Sequence, residues 1–154
     1  MKLGVPKETF PGERRVAIVP GVIPLLSKLG ISVVFEHGAG EAAGFPDASY
    51  GDQVTFGSRA EVFQSDILAQ VRAPGANPSG GDADIALLRR GQAVIGFADP
   101  LTAASSAQRM AERGAVLLAM ELVPRITRAQ SMDALSSMAT LAGYRAVLLA
   151  ATAL

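Results

Sequence analysis

Three times in this chain a helical segment closes in a charged turn and a glycine, and an aliphatic or β-branched run follows at once. The stretches are Leu25–Gly30 into Ile31–Phe35, Leu87–Gly91 into Ala93–Phe97, and Met110–Gly114 into Ala115–Met120. Glycine just past a helix adopts the left-handed conformation that closes it, and cations in the last turn suit the helix dipole. The strands read as continuous apolar runs, so both of their faces are expected to be covered. That is the mark of a mostly parallel open sheet with flanking helices, an α/β fold. Lys2–Val5, Ile67–Val71 and a short Val54–Phe56 fit the same scheme.

The 154 residues suffice for one domain with its own core. Fourteen basic side chains balance fourteen acidic ones, so no basic field recruits nucleic acid. The absence of cysteine excludes disulfides, thiolate nucleophiles and iron–sulfur ligation, and the single histidine, His37, excludes a histidine metal cluster. No uninterrupted apolar run approaches the roughly 18–20 residues that span a bilayer. The N-terminus has no apolar stretch before its charges, so a soluble intracellular domain without direct membrane insertion is expected.

Helix starts are legible at Ser58-Arg59-Ala60-Glu61, a capping box, and at Asp99-Pro100, an N-cap with proline in the first helical position. Ala73–Gly81 has the composition of a flexible surface loop and a tolerated insertion. Thr127-Arg128-Ala129-Gln130 matches another capping box, which predicts about seven turns of helix running to Leu154. The division expected is an α/β domain over 1–126 and the start of a long interdomain helix over 127–154. Ala146–Leu154 is apolar on nearly every side, so protein is expected around it, either from a continuing chain or from a partner.

Three stretches are candidates for chemistry. Gly38–Ala43 fits G-x-G-x-x-A, but Gly44-Phe45-Pro46-Asp47 breaks the chain where a phosphate-binding helix should open, and no acidic strand end follows. It reads as an irregular loop, with His37 packed on it or facing solvent. Arg14 and Arg15 lie between a turn and an apolar run; one is either a carboxylate or phosphate ligand, or the partner of Glu13 or Glu8 in a salt bridge. The densest polar stretch, Glu121–Ser136, follows an apolar strand, where open α/β sheets place ligands. Gln130, Asp133 and Ser136 recur every third residue and would share a helix face. Helix capping by Thr127 and Gln130, with Asp133 serving the dipole and Arg125 solvated, explains the same residues, and the spacing leaves both readings open.

Gly4-Val5-Pro6-Lys7-Glu8, Glu13-Arg14-Arg15-Val16-Ala17, Glu36–Gly40 with Gly44–Asp47, and Arg125–Asp133 with Ala142-Gly143-Tyr144 together resemble the N-terminal region of the alanine dehydrogenase and nicotinamide nucleotide transhydrogenase family. The run from Arg125 to Asp133 resembles the transhydrogenase alpha subunit in particular. The resemblance covers essentially the whole chain. It implies a Rossmann-like or flavodoxin-like substrate-side domain, and the NAD(H)-binding component of an enzyme passing a hydride from NADH to NADP+ coupled to proton translocation. By that likeness Arg125, Ile126, Thr127, Arg128, Gln130, Asp133 and Ser136 line the nicotinamide side of an NAD site. Gln130 would orient the carboxamide or ribose, and Arg125 and Asp133 would set the electrostatics around the ring.

The same likeness implies an incomplete NAD(H) site here, with the adenosine half on a missing NAD-binding Rossmann domain. It implies NADP(H) on a partner, the transhydrogenase beta subunit or NADP-binding domain, a homodimer, and a cytoplasmic location peripheral to a complex at the inner membrane. The enzyme alternative is an alanine-dehydrogenase-like amino-acid oxidoreductase. Relatives of that branch use a lysine and a histidine, where this chain has Arg72 and Ala98-Asp99-Pro100. Arginine is not deprotonated in proteins, and aspartate titrates far below imidazole. Arg15 matches the substrate-carboxylate arginine of that branch. A non-catalytic dimerisation or docking fragment is the remaining alternative.

Overall fold

The computed structural model describes residues 1–153. Contacts divide the chain into two compact units, Met1–Ala119 and Met120–Leu154. The first holds six strands: β1 (Lys2–Val5), β2 (Ser32–Glu36), β3 (Val54–Gly57), β4 (Ile67–Arg72), β5 (Ala93–Phe97) and β6 (Val116–Ala119). All pairings are parallel, in the order β3-β2-β1-β4-β5-β6. The expected mostly parallel sheet is thus wholly parallel among the described residues. This is the doubly wound order with its reversal between β1 and β4.

Helices α1 (Ile23–Lys28), α2 (Arg59–Val62), α3 (Gly81–Leu87) and α4 (Ala104–Glu112) connect the strands. Gly30 and Gly114, each with φ of 72°, follow the ends of α1 and α4 in the left-handed conformation expected of them, whereas Gly91, also left-handed at 79°, does not close α3, which ends at Leu87 with Leu88 already extended. Two cores form. One gathers Leu3, Val5, Ile23, Val33, Phe35 and Tyr50; the other gathers Val62, Phe63, Leu68, Ile85, Val94 and Met110. Dressing is uneven at one edge: on β6, Val116 and Leu118 are 52% and 51% exposed, while Leu117 between them packs on the second core.

Ser58 caps α2 as its spacing predicts, accepting from the Glu61 amide while the Glu61 carboxylate accepts from the Ser58 amide. Asp99 does not cap α4. The helix begins at Ala104 after Ala103, and Asp99 is the one described non-glycine residue with positive φ, 46°. Its carbonyl instead accepts the amides of Thr102 and Ala103, turning the chain before the helix starts.

Ala73–Gly81 is not a flexible insertion. Ala73, Pro74, Ala76 and Asn77 are buried. Asn77 donates its side-chain amide to Thr9 Oγ1 at 2.7 Å and accepts from the Gly80 amide at 3.1 Å. A Cβ on Gly75 would fall 1.9 Å from the Ala98 carbonyl oxygen, so this glycine is required by close approach rather than by mobility.

The second unit begins with a short 3₁₀ turn over Met120–Leu122, followed by a second over Thr127–Met132, and then α5 (Ala134–Ala153). The Thr127 capping box does not form: Ile126 precedes the turn without a side-chain cap, and the α-helix starts seven residues beyond Thr127. No residue of α5 is buried, and Val147, Leu148 and Leu149 are exposed. Leu154, the last residue of the Ala146–Leu154 stretch, lies outside the described residues. By length and composition alone α5 is long enough and apolar enough to cross a membrane. Arg145 near its middle opposes insertion, because a guanidinium at the bilayer centre costs about 2.5–3.5 kcal/mol.

Candidate functional site

At the switch point the connections after β1 and β4 leave the sheet on different courses, and polar side chains collect at the strand ends. The β1–β4 ladder stops at Gly4↔Leu68, while β4 continues to Arg72. Glu8 supplies the missing acceptors, taking the amides of Val71 and Arg72 at 2.6 and 3.1 Å. Desolvation raises its pKa, against the lowering effect of those two bonds. Glu13 accepts Arg15 Nε at 2.7 Å and Nη2 at 2.6 Å, and Arg72 Nε at 2.9 Å. The Arg72 guanidinium also lies 4.1 Å from the Phe10 ring centroid. Arg15 thus has its salt bridge with Glu13, and Arg14 is exposed.

The side-chain hydrogen bond from Arg15 is the largest cause holding the Glu13 pKa at about 2 rather than 4.5. A carboxyl whose pKa is depressed on folding lends stability above its unfolded value and loses it as pH falls through the folded value. The stability advantage of the wild type over Glu13→Gln is therefore expected to be full above about pH 4.5 and to fade towards pH 2. Denaturant unfolding of both proteins across that range checks this; an advantage independent of pH would contradict the pairing.

Beside this cluster lies a second one that the sequence spacing gives no hint of. Arg59 donates Nε and Nη2 to Asp84 at 2.7–2.9 Å and Nη1 to Glu36 and to the Lys7 carbonyl at 2.7 and 2.9 Å. Gln70, in the middle of β4, donates to Asp84 at 3.0 Å. The members come from the first loop, β2, α2, β4 and α3, so only the fold brings them together. The one local signal was Gln70, a polar residue inside an apolar strand.

Gly38–Ala43 forms no phosphate loop. Its last three residues, Glu41–Ala43, make a single 3₁₀ turn rather than an α-helix, the Gly38 amide is taken by Asp47 at 3.0 Å, and Gly40 packs against Phe45 and Tyr50. His37 is exposed, stacks on Phe56 and pairs through Nδ1 with Asp47 at 3.2 Å.

In the second unit Arg125, Ile126, Thr127, Arg128 and Gln130 are exposed, all but the first two lying on the 3₁₀ turn. Asp133 accepts from the Ser136 amide at 3.0 Å and from the Ser136 hydroxyl at 2.6 Å. It therefore caps α5, in the place proposed for Thr127 and Gln130. Gln130 does not share the α5 face with Asp133 and Ser136, because the chain bends at Asp133, whose ψ is 83°. The bonds from Ser136, with Arg125 a lesser contributor, lower the Asp133 pKa and keep the carboxylate ionised near neutral pH. NAD(H) fits these residues only in part. They offer exposed polar groups, whereas the glycine turn that opens α3, Gly80-Gly81, is packed against Thr9, Asn77 and Pro74 rather than open to a pyrophosphate.

A wholly parallel sheet with this strand order and polar groups at its switch point defines a Rossmann-like α/β domain. Residues 4–142 match the family described as alanine dehydrogenase/PNT, N-terminal domain, and the chain belongs to that family. It is 46% identical over 151 residues to an NAD(P) transhydrogenase subunit alpha from Cereibacter sphaeroides, covering 96% of this chain and 28% of that subunit. It superposes on the crystal structure of a transhydrogenase from Sinorhizobium meliloti with a TM-score of 0.89 and 40% identity, covering 99% of this chain and 44% of that one. An L-alanine dehydrogenase structure gives 0.72 and 26%, covering 80% and 33%. The chain thus spans less than half the length of each of these relatives.

Proposed function

We propose that this chain is the N-terminal portion of the NAD(H)-binding component of a proton-translocating NAD(P)+ transhydrogenase, passing a hydride from NADH to NADP+. Its partners in this reading are a following NAD-binding domain, an NADP(H)-holding beta subunit and a second copy of the same subunit. Its place is cytoplasmic, at the face of an inner-membrane complex. The observation that carries the reading is the exposed polar edge from Arg125 to Ser136, built around a carboxylate held ionised by its own helix. Hydride transfer between two nicotinamides requires orientation and a fixed electrostatic setting, not a proton donor. Arg125, Ile126, Thr127, Arg128, Gln130, Asp133 and Ser136 are the residues assigned to that task.

Amino-acid oxidation is less well served. Arg72, which would have to replace a proton-carrying lysine, is committed to Glu13 and Phe10. The test grafts this chain into the Cereibacter sphaeroides subunit in place of its matching segment, and measures hydride transfer from NADH to NADP+. Arg125→Ala, Gln130→Ala and Asp133→Asn are each expected to slow transfer by about tenfold or more, since small errors in alignment are costly. Unchanged rates in all three remove these residues from the site, and pyruvate-dependent NADH oxidation by the graft favours the amino-acid reading.

A further inference from the structure

Asp99-Pro100 lies between β5 and α4, in a turn fixed on both sides. Upstream, Ala98 is buried, with its carbonyl close against Gly75. Downstream, the Asp99 carbonyl accepts the amides of Thr102 and Ala103 at 3.0 and 2.7 Å and the Thr102 hydroxyl at 3.3 Å. Asp99 itself is exposed, and its φ of 46° departs from the extended conformation that a residue before proline prefers. Leu101, next in the turn, is 86% exposed, so water reaches the segment. An aspartyl–prolyl bond is chemically labile, because the carboxyl can reach its own main-chain carbonyl and the leaving nitrogen belongs to a tertiary amide.

We propose that Asp99-Pro100 is a self-processing site, at which the folded turn promotes hydrolysis of its own peptide bond. A carboxyl oxygen of Asp99, in its acid form, attacks the Asp99 main-chain carbonyl carbon and closes a five-membered ring. The negative charge that develops on the carbonyl oxygen falls on the Thr102 and Ala103 amides, which already lie at distances suited to an oxyanion, with the Thr102 hydroxyl as a third donor. The bond to the Pro100 nitrogen then breaks, its electron pair staying with the nitrogen, which takes up the proton of the carboxyl. The cyclic anhydride left on Asp99 consumes one water and gives two carboxyls, one on the side chain and one at the new C-terminus. Attack within a single residue needs no second reactant, and the turn, clamped at both ends, supplies the donors in place. Scission also frees Asp99 from the left-handed conformation, so the strain held there is released as the bond breaks. This inference goes beyond the proposed hydride-transfer role and uses none of the residues assigned to it.

The 154-residue chain is incubated at the lowest pH at which its circular dichroism stays native, beside the same chain unfolded by urea at that pH. Mass spectrometry follows the fragments 1–99 and 100–154. The folded chain is expected to be cut about tenfold or more faster than the unfolded one, since the bond is the same in both and only the turn differs. Asp99→Asn, which tolerates a positive φ and lacks the attacking carboxyl, is expected to stay whole while folded. A folded wild type that stays whole, or is cut no faster than the urea-unfolded chain, overturns the proposal, as does cutting of folded Asp99→Asn at the wild-type rate. If Asp99→Asn does not fold, the wild-type comparison decides by itself, faster scission in the folded chain supporting the proposal and equal or slower scission refuting it.

Discussion

Asp84→Ala is expected to cost about 3–4 kcal/mol of stability, lowering Tm by roughly 6–15 °C in a chain of this size. Asp84 has 2% of its side chain exposed and takes three bonds from Arg59 and one from Gln70. Removing it strands a buried amide on β4 and leaves a mostly buried guanidinium with hydrogen bonds to Glu36 and the Lys7 carbonyl and the Phe63 ring 5.3 Å away. The penalty comes from the groups left behind rather than from the strength of the pair itself. Arg59 keeps 22% exposure, so water relieves part of the loss, and the figure lies at the lower end for broken buried pairs. Replacing both members, Arg59→Met with Asp84→Leu, should recover much of the stability that the single change loses. Urea unfolding at constant m-value measures both; a loss below about 1 kcal/mol for Asp84→Ala means the network is slack.

Phe35→Ala is expected to cost about 3–5 kcal/mol by a different route. Phe35 is fully buried, with its ring centroid 4.3 Å from Tyr50 and 6.0 Å from Phe56. Truncation leaves a void between β2 and the segment carrying Tyr50, whose hydroxyl reaches the Ile18 carbonyl at 3.1 Å and so cannot easily collapse inward. Phe35→Leu fills most of the space and should cost under about 1.5 kcal/mol. Thermal unfolding of the two variants side by side checks the prediction; similar losses would mean that the volume of the ring is not what this core depends on.

The parallel sheet was legible because its signals are local. An apolar run of β-branched residues, a glycine after a helix and a capping box each act over a few residues, and β1–β6, Gly30, Gly114 and Ser58 all follow from them. Two of the departures share one cause, competition between neighbouring signals, and the third comes from a contact distant in sequence. Thr127 and Gln130 have capping-box spacing, but Asp133 offers a charged acceptor that holds both the amide and the hydroxyl of Ser136, and the helix begins there instead. Asp99 precedes a proline at cap spacing, yet its own carbonyl turns the chain first. Around Gly75 the glycine and proline content suggested mobility, whereas Gly75 serves close backbone approach to Ala98, a neighbour distant in sequence, and Gly80 and Gly81 lie against Thr9 and Pro74.

Site residues follow the same division. Arg15 with Glu13 was legible as a salt bridge because the two are neighbours in the chain. The joining of Arg72 to that pair, and the whole Arg59–Asp84–Gln70–Glu36 cluster, depends on strands being laid side by side, and nothing in spacing announces it. The polar run from Arg125 to Ser136 stands out in the sequence as a stretch, but its internal geometry does not, since the bend at Asp133 separates Gln130 from the helix.

The uneven dressing of β6 makes the two sides of one short strand unequal in what they tolerate. Val116 and Leu118 already stand half in water, so polar replacements there leave the interior undisturbed, while the same change at Leu117 strikes the second core. Across the lineage of this chain, drift at the strand should therefore run in an every-other-residue rhythm, free on the wet side and frozen on the dry one.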